Sequence, residues 1–318
     1  MQDIDFATKP GLSVYKRVLK LMGNRFEISV ANDNENYASD CIDAAVEEIG
    51  RIERLLTTFD EKSQTSSINK YAGVQAVHVD KEVFELIRRS VRISELTQGA
   101  FDITYGSIDK RLWNFDTSMT ELPDHETAKR SVRLINYKNV ILDEIECSVL
   151  LKEKGMRLGF GGIGKGYAAD RAKYILEQKG ISSGVVNASG DLTAWGMQPN
   201  GRPWTIGIAD PYTKITPFSF LNISNMAVAT SGNYEKFAII DGKKYSHTID
   251  PKTGYPVEGI KSVTIITANA ELADAMATPV MVMGIKAGLN LINQMKYISC
   301  IIIDENDRLF TSKNIKIS

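Results

Sequence analysis

Cysteine is scarce in this 318-residue chain: Cys41, Cys147 and Cys300 are odd in number, widely separated and never in a C-x-x-C pair. That excludes a disulfide framework and a thiolate metal site, and leaves three small core residues. Charge of one sign is lacking as well, with 38 lysines and arginines against 39 aspartates and glutamates. No field of the kind that attracts DNA, RNA or an anionic membrane is built in, so nucleic-acid binding is not expected. The opening residues, MQDIDFATKPGL, hold no apolar run like a secretory signal, and no later segment reads as long enough to span a bilayer. The expected compartment is the cytoplasm for the chain as it stands, or the periplasm or cell envelope if an export signal has been removed. Fixed-period repeats, low-complexity tracts and Pro/Ser-rich linkers are also missing, which excludes solenoids and strings of linked modules.

What is present is an ordinary globular composition, 43% hydrophobic and long enough to bury a full core. Residues Tyr15 to Val30 read as two strands bent at Met22-Gly23-Asn24. From Ala38 to Leu56 the apolar positions Ile42, Ala45, Val46, Ile49, Ile52 and Leu56 follow a helical period. The polar stretch Thr57 to Tyr71 reads as a surface loop. A second helix over Lys81 to Thr97 stops at Gly99, and AFDITYGSIDKRLWNF then crowds aromatics around Asp102, either a core corner or a wall for a flat ligand. Asp124 is a plausible cap for a short helix. Strands follow between Val132 and Phe160, then a helix at about Tyr167 to Lys179 and a strand from Ser183 to Asn187 ending in the turn Ala188 to Asp191. Strand and hairpin patterns fill Trp204 to Thr267, with a DPKTG turn at Asp250 to Gly254. Helical patterns start near Asn269 and over about Lys286 to Met295, and a strand and turn at Ile298 to Asp307 close the chain. Helices and strands interleave without a regular βαβ count, so the expected class is α/β in the mixed α+β sense, one domain with two lobes around a cleft.

Three stretches carry chemistry. Between Gly159 and Gly166 there are five glycines, running directly into a helix. Inward-turned N–H groups and a helix N-terminus hold phosphate oxygens without any cationic side chain, so a phosphate-bearing ligand is one reading; a tight turn that lets a helix approach its neighbour closely is the other. The loop is not a P-loop, because Gly166 stands where magnesium would need Ser or Thr, and SGVVNASGD runs into another turn where a dinucleotide-binding βαβ unit would carry an acid at the end of its second strand. In AELADAMAT, Asp274 and Thr278 are four apart and share one face of a helix, which suits a hard cation such as magnesium but also arises by chance. Pro279 is expected to end or kink that helix and to free backbone oxygens of the Ala275 to Thr278 turn. Among the three histidines, His78 and His125 have no candidate partners nearby in sequence. His247, just before the DPKTG turn, is either structural or a general base facing a phosphate.

Taken together, KLMGNRF, SSIN, GAFDITYG, GFGGIGKGYAADRA, VVNASGD, ATSGNYEKF, SHTIDPKTGYPV and ELADAMAT resemble, in this order, the ApbE family of magnesium-dependent FAD:protein FMN transferases, from about Lys20 to Gly284. The resemblance implies one ApbE-like domain and an enzyme that splits FAD, releases AMP and attaches FMN by a phosphoester bond to a Thr or Ser of an acceptor flavoprotein. It puts the magnesium ligands on the Gly162 carbonyl, Asp274 and Thr278, and the flavin-nucleotide contacts on Met22, Ala100, Phe101, Asp102, Lys165 and Ile249, with Asn69 near the site. Phe59 falls where many members have tyrosine, which keeps ring stacking but not a phenol hydrogen bond. Gly159 falls where members usually carry an aspartate that contacts the nucleotide. His247 matches the histidine that takes the acceptor's hydroxyl proton. Two alternatives share the site: magnesium-dependent hydrolysis of FAD to FMN and AMP, and non-catalytic flavin binding.

Overall fold

The computed structural model of the chain describes residues 11–109, 121–208, 219–233 and 237–315. Tyr234 to Lys236 of the ATSGNYEKF stretch, residues 110–115 of the aromatic segment and most of MQDIDFATKPGL lie outside them.

In chain order the strands β1 (Ser13–Leu21) and β2 (Asn24–Asn32) form a hairpin. Met22 (φ 51°) and Gly23 (φ 73°) take the two left-handed positions of its tight turn, as the sequence predicts. Helix α1 (Glu35–Leu56) follows, three residues longer at its start than its periodicity implies, because the Asn34 side chain accepts from the Tyr37 N–H at 3.0 Å. Where a loop was expected there is a short helix, α2 (Gln64–Lys70): Ser63 accepts from the Ser66 N–H, and Thr65 and Ile68 are buried. Next come β3 (Val77–His78), α3 (Lys81–Leu96), α4 (His125–Ser131), β4 (Val140–Asp143) and β5 (Ser148–Leu151). Asp124 caps α4 by accepting from the Thr127 N–H.

Helix α5 (Gly164–Gln178) begins inside the glycine run, not after it, so Lys165 and Gly166 belong to its first turn. Then come β6 (Gly184–Ala188), β7 (Asp191–Trp195), β8 (Trp204–Ile208), β9 (Ser219–Ile223), β10 (Met226–Gly232), β11 (Phe237–Ile240), β12 (Lys243–Ser246) and β13 (Ile260–Thr267). Helix α6 (Ala270–Ile292) precedes β14 (Ser299–Asp304) and β15 (Leu309–Thr311). Of the end or kink expected at Pro279, the end does not occur, and the non-helical dihedral angles fall at Gly284 instead. α6 runs through the proline and breaks at Gly284 (φ 79°, ψ 169°), which separates the two helical patterns seen in the sequence. Burial of Met276, Ala277, Val280 and Met281 offsets the ~3 kcal/mol that an interior proline costs. Of the carbonyls in the Ala275 to Thr278 turn, only that of Ala275 loses its donor, since Pro279 has no N–H. By length and hydropathy alone (23 residues, 1.4 over its most apolar stretch) α6 is long and apolar enough to cross a bilayer, contrary to the expectation that no segment is. Its first turns instead carry a buried aspartate and pack as core, with Ala270, Ala273, Ala275 and Met276 all buried.

The chain divides into two compact units. One takes Met1–Glu53, Gly164–Thr230 and Thr264–Asp274; the other takes Arg54–Ile163, Ser231–Val263 and Ala275–Ser318. In the first, strands lie in the order β1-β2-β6-β7-β10-β13, antiparallel from β1 through β10, with Phe26, Ile28, Val30, Val186 and Ala194 in the core. Helices α1 and α5 are tied together by Glu48, which accepts from Arg51 and from Arg171 at 2.9 Å. The Arg51 hydrogen bond, more than any other contact, holds the Glu48 carboxyl below the usual range. In the second unit β3-β5-β4 form a small sheet, β11 and β12 a ribbon, and β13-β14-β15 run side by side.

Candidate active site

In the first unit charged side chains gather where α5 and α6 begin. The turn joining β6 to β7 uses Ser189 (φ 57°) and Gly190 (φ 104°), and the Gly190 N–H donates to Asn187 at 2.8 Å. This hairpin makes Asp191 the first residue of β7, 5% exposed. From the first turn of α5, the Lys165 ammonium lies 2.7 Å from Asp191 Oδ2 and 3.5 Å from Asp274 Oδ1. The other oxygen of Asp274 accepts from the Gly166 N–H at 3.0 Å, and Asp274 too is only 5% exposed.

The glycine stretch therefore serves the second of its two readings first. At Gly166 a Cβ would meet the Ala270 carbonyl oxygen at 2.1 Å and Asp274 Cβ at 2.9 Å, so only glycine lets the two helices approach this closely. The partial positive charge at the start of α5 holds an anion of the chain's own, the Asp274 carboxylate. Lys165 and Asp274, both expected at the site, come together. Asp191 and Asp170 were missed. Asp170 accepts from the N–H groups of Ala270 (3.0 Å) and Glu271 (2.8 Å), and burial pushes its pKa up to about 6.

In the second unit the expected residues form three local groups. Asn69 pairs with the backbone of Leu158 on both edges, donating to its carbonyl at 3.2 Å and accepting from its N–H at 2.7 Å. The Gly159 N–H donates to the Ile103 carbonyl at 3.0 Å, so this end of the glycine run is sewn to the residues after Asp102. Gly159 is not demanded by space or backbone: a Cβ there would make an ordinary 3.4 Å contact with Gly106. Phe101 packs its ring against Gly162, whose Cβ would lie 3.5 Å away, and Ala100 beside it is buried.

Asp102 caps a short 3-10 turn (Ile103–Ser107) and accepts from the Thr104 N–H (2.8 Å), the Thr104 hydroxyl (2.6 Å) and the Tyr137 N–H (2.9 Å). Burial still pushes its pKa above the ordinary carboxylate value. Ile249 lies in a buried cluster with Ala128 and Val132, and its N–H faces the Tyr105 hydroxyl at 3.3 Å, a phenol that burial raises to about 12. Two residues before it, His247 is half-buried between the buried Ser246 and Thr248. The DPKTG turn closes as expected, with Gly254 (φ 77°) donating to the Asp250 carbonyl at 2.9 Å. Thr278 Oγ1 and Ser231 Oγ are 3.1 Å apart. Met22 sits in the β1–β2 turn of the first unit, and Phe59, on the loop before α2 in the second, is 94% exposed.

The sequence model of the ApbE family matches residues 22–302. The chain belongs to the ApbE family. It is 32% identical over 301 residues, 94% of this chain and 92% of the relative, to a Klebsiella pneumoniae protein named FAD:protein FMN transferase. The crystal structure of the ApbE protein from Thermotoga maritima superposes with a TM-score of 0.86 at 32% identity, covering 95% of this chain and 98% of that one. The apo flavinyl transferase ApbE of Pseudomonas stutzeri superposes at 0.83 with 25% identity, covering 95% of both chains. The mixed α/β class read from the sequence is the ApbE architecture.

Proposed function

We propose that this ApbE chain is a FAD:protein FMN transferase. A Thr or Ser hydroxyl of an acceptor protein attacks the FMN phosphorus of FAD. The new P–O bond joins FMN to the acceptor, the bond to the bridging oxygen breaks, and AMP leaves with that oxygen. His247 takes the hydroxyl proton, a role worth typically ~10²–10⁴ in rate. The observation that carries the reading is the Lys165–Asp191–Asp274 group at the start of α5, built from three of the family stretches, in a chain that aligns with a named transferase over 94% of its length. Phosphoryl transfer asks the protein mainly for alignment and charge placement, which buried, braced carboxylates and an ammonium provide.

Magnesium belongs to the proposal, with Asp274, Thr278 and the Gly162 carbonyl as the ligands that the family resemblance assigns. The donors fit a hard cation: all three are oxygens, and Asp274 Oδ1 faces Lys165 at 3.5 Å, beyond the ~2.7–2.9 Å of a tight charge-assisted bond. Among the described residues no three His, Cys, Asp or Glu side chains cluster, so neutral oxygens must complete the shell. When bound, the ion supplies positive charge to the diphosphate oxygens.

The test is mass spectrometry of an acceptor flavoprotein incubated with the enzyme, FAD and magnesium. An FMN added to a Thr or Ser, with AMP released in equal amount, is expected. Free FMN and AMP with an unmodified acceptor would replace transfer by hydrolysis, and FAD retained intact would replace it by binding alone.

A further inference from the structure

The contacts between α5 and α6 form a reciprocal clasp within the first unit. Gly166 and Asp170 are one turn apart on α5, and Ala270 and Asp274 are one turn apart on α6, so each pair shares a helix face. Asp274 of α6 accepts from the first turn of α5 at Gly166. Asp170 of α5 accepts from the first turn of α6 at Ala270 and Glu271. Each helix thus lends a carboxylate to the other's positive end.

A helix start leaves four backbone N–H groups without intrahelical partners. In α6 the first two donate to Asp170, and that of Leu272 donates to the Asn269 side chain at 3.0 Å. The Ala273 N–H reaches the Asn269 carbonyl at 3.2 Å. The first turn of α6 is therefore fully tied down, half of it by a single carboxylate from another helix, and Asp274 is the next residue. At Gly166 the missing Cβ keeps the two halves of the clasp in register.

We infer that Asp170 is a positioning residue for Asp274: by fixing the first turn of α6 it sets where the Asp274 carboxylate stands against Gly166 and Lys165. The activity part of its test rests on the transferase reading above; the exchange part does not. Asp170→Ala leaves two first-turn N–H groups without an acceptor and lets that turn fray, whereas Asp170→Asn keeps one carbonyl acceptor.

Two measurements decide the matter. The first is amide hydrogen exchange, read by NMR at Gly166, the group that reports the Asp274 contact and lies outside the substituted side chain. In Asp170→Ala the Gly166 amide should exchange at least ~10-fold faster together with those of Ala270 and Glu271, with Asp170→Asn in between. Gly166 protection unchanged while Ala270 and Glu271 lose theirs would overturn the inference, because Asp274 would then be held without Asp170. The second is the magnesium concentration giving half-maximal FMN transfer, measured well below each variant's melting temperature. Asp170→Ala should raise it ~10- to 100-fold, the range seen when groups behind a metal ligand are removed, and Asp170→Asn should recover most of the loss. A wild-type midpoint in both variants would reduce Asp170 to a purely structural cap. If Asp170→Ala does not fold, Asp170→Asn decides both measurements with the same signs. Absence of FMN transfer by the unaltered enzyme would sink the transferase reading and leave the exchange result to judge the clasp alone.

Discussion

Two buried aspartates in this molecule look alike in the sequence and are held in different ways. Asp102, in the second unit, accepts three hydrogen bonds from groups of its own loop and its neighbour, two from Thr104 and one from Tyr137. Asp274, in the first, accepts one backbone N–H and faces an ammonium at a loose 3.5 Å. A carboxylate that already accepts three hydrogen bonds has little capacity left for a ligand, whereas one that accepts a single backbone N–H and faces a loosely placed ammonium has more. Both stood among the residues expected at the site, and burial alone does not tell them apart, at 7% and 5% exposed.

The largest effect that would test this difference is at Asp274. Asp274→Ala should lower FMN transfer by more than ~10³-fold, the equivalent of several kcal/mol of charge stabilisation, while far-UV circular dichroism stays that of the folded protein. A variant that still transfers FMN without magnesium would place the chemistry elsewhere. Next is His247→Ala, expected to slow transfer by ~10²-fold or more with FAD binding preserved. Unchanged turnover, read by the rate of AMP release, would remove the imidazole from the proton path.

Asp102 should behave in the contrary manner. Asp102→Ala strands three donors in a buried loop, and each unsatisfied group costs ~1–3 kcal/mol, so a loss of ~2–4 kcal/mol in unfolding free energy is expected after relaxation. The observable is the denaturant midpoint. If the midpoint holds and only the affinity for FAD falls, Asp102 is a nucleotide contact after all and the contrast with Asp274 collapses.

Much of this architecture is legible in the residues, and the exceptions have physical causes. The hairpin at Met22-Gly23, the helices α1 and α3 and the cap at Asp124 follow from φ > 0 positions, from periodicity and from a side-chain acceptor at a helix start. Helix α2 escaped because its stability comes from a Ser63 cap and two buried side chains, too little for a periodic signal. Pro279 misled because a local rule was outweighed by the burial of an apolar helix, and Gly284 ends the run instead. Asp170 and Asp191 were missed because their partners are about 100 and 26 residues away, beyond any window of local pattern. A signal for the first was there: a glycine and an aspartate four apart on one helix, and an alanine and an aspartate four apart on another, are the composition of two helix starts that cap each other.

The smallest effect is a pH dependence of stability, and it separates the two halves of the clasp. Burial raises Asp170 from an unfolded value of 3.8 to about 6, against the hydrogen bonds from Ala270 and Glu271; the Glu271 carboxylate raises it further and the Lys173 ammonium lowers it. Because the folded value is the higher one, the folded chain keeps a proton between about pH 4 and 6 that the unfolded chain has released. Unfolding free energy therefore falls as pH rises through that window and levels off above it, by ~3 kcal/mol at most from this one group. Asp170→Asn, which carries no charge to bury, should flatten that part of the pH–stability curve while loosening the hold on Asp274. Stability and positioning thus move in opposite directions in one variant, since a neutral side chain suits the buried site better and the two N–H groups of α6 worse. A curve with the same slope in Asp170→Asn and in the unaltered protein would assign the dependence to another carboxylate and leave the Asp170 clasp without its electrostatic cost.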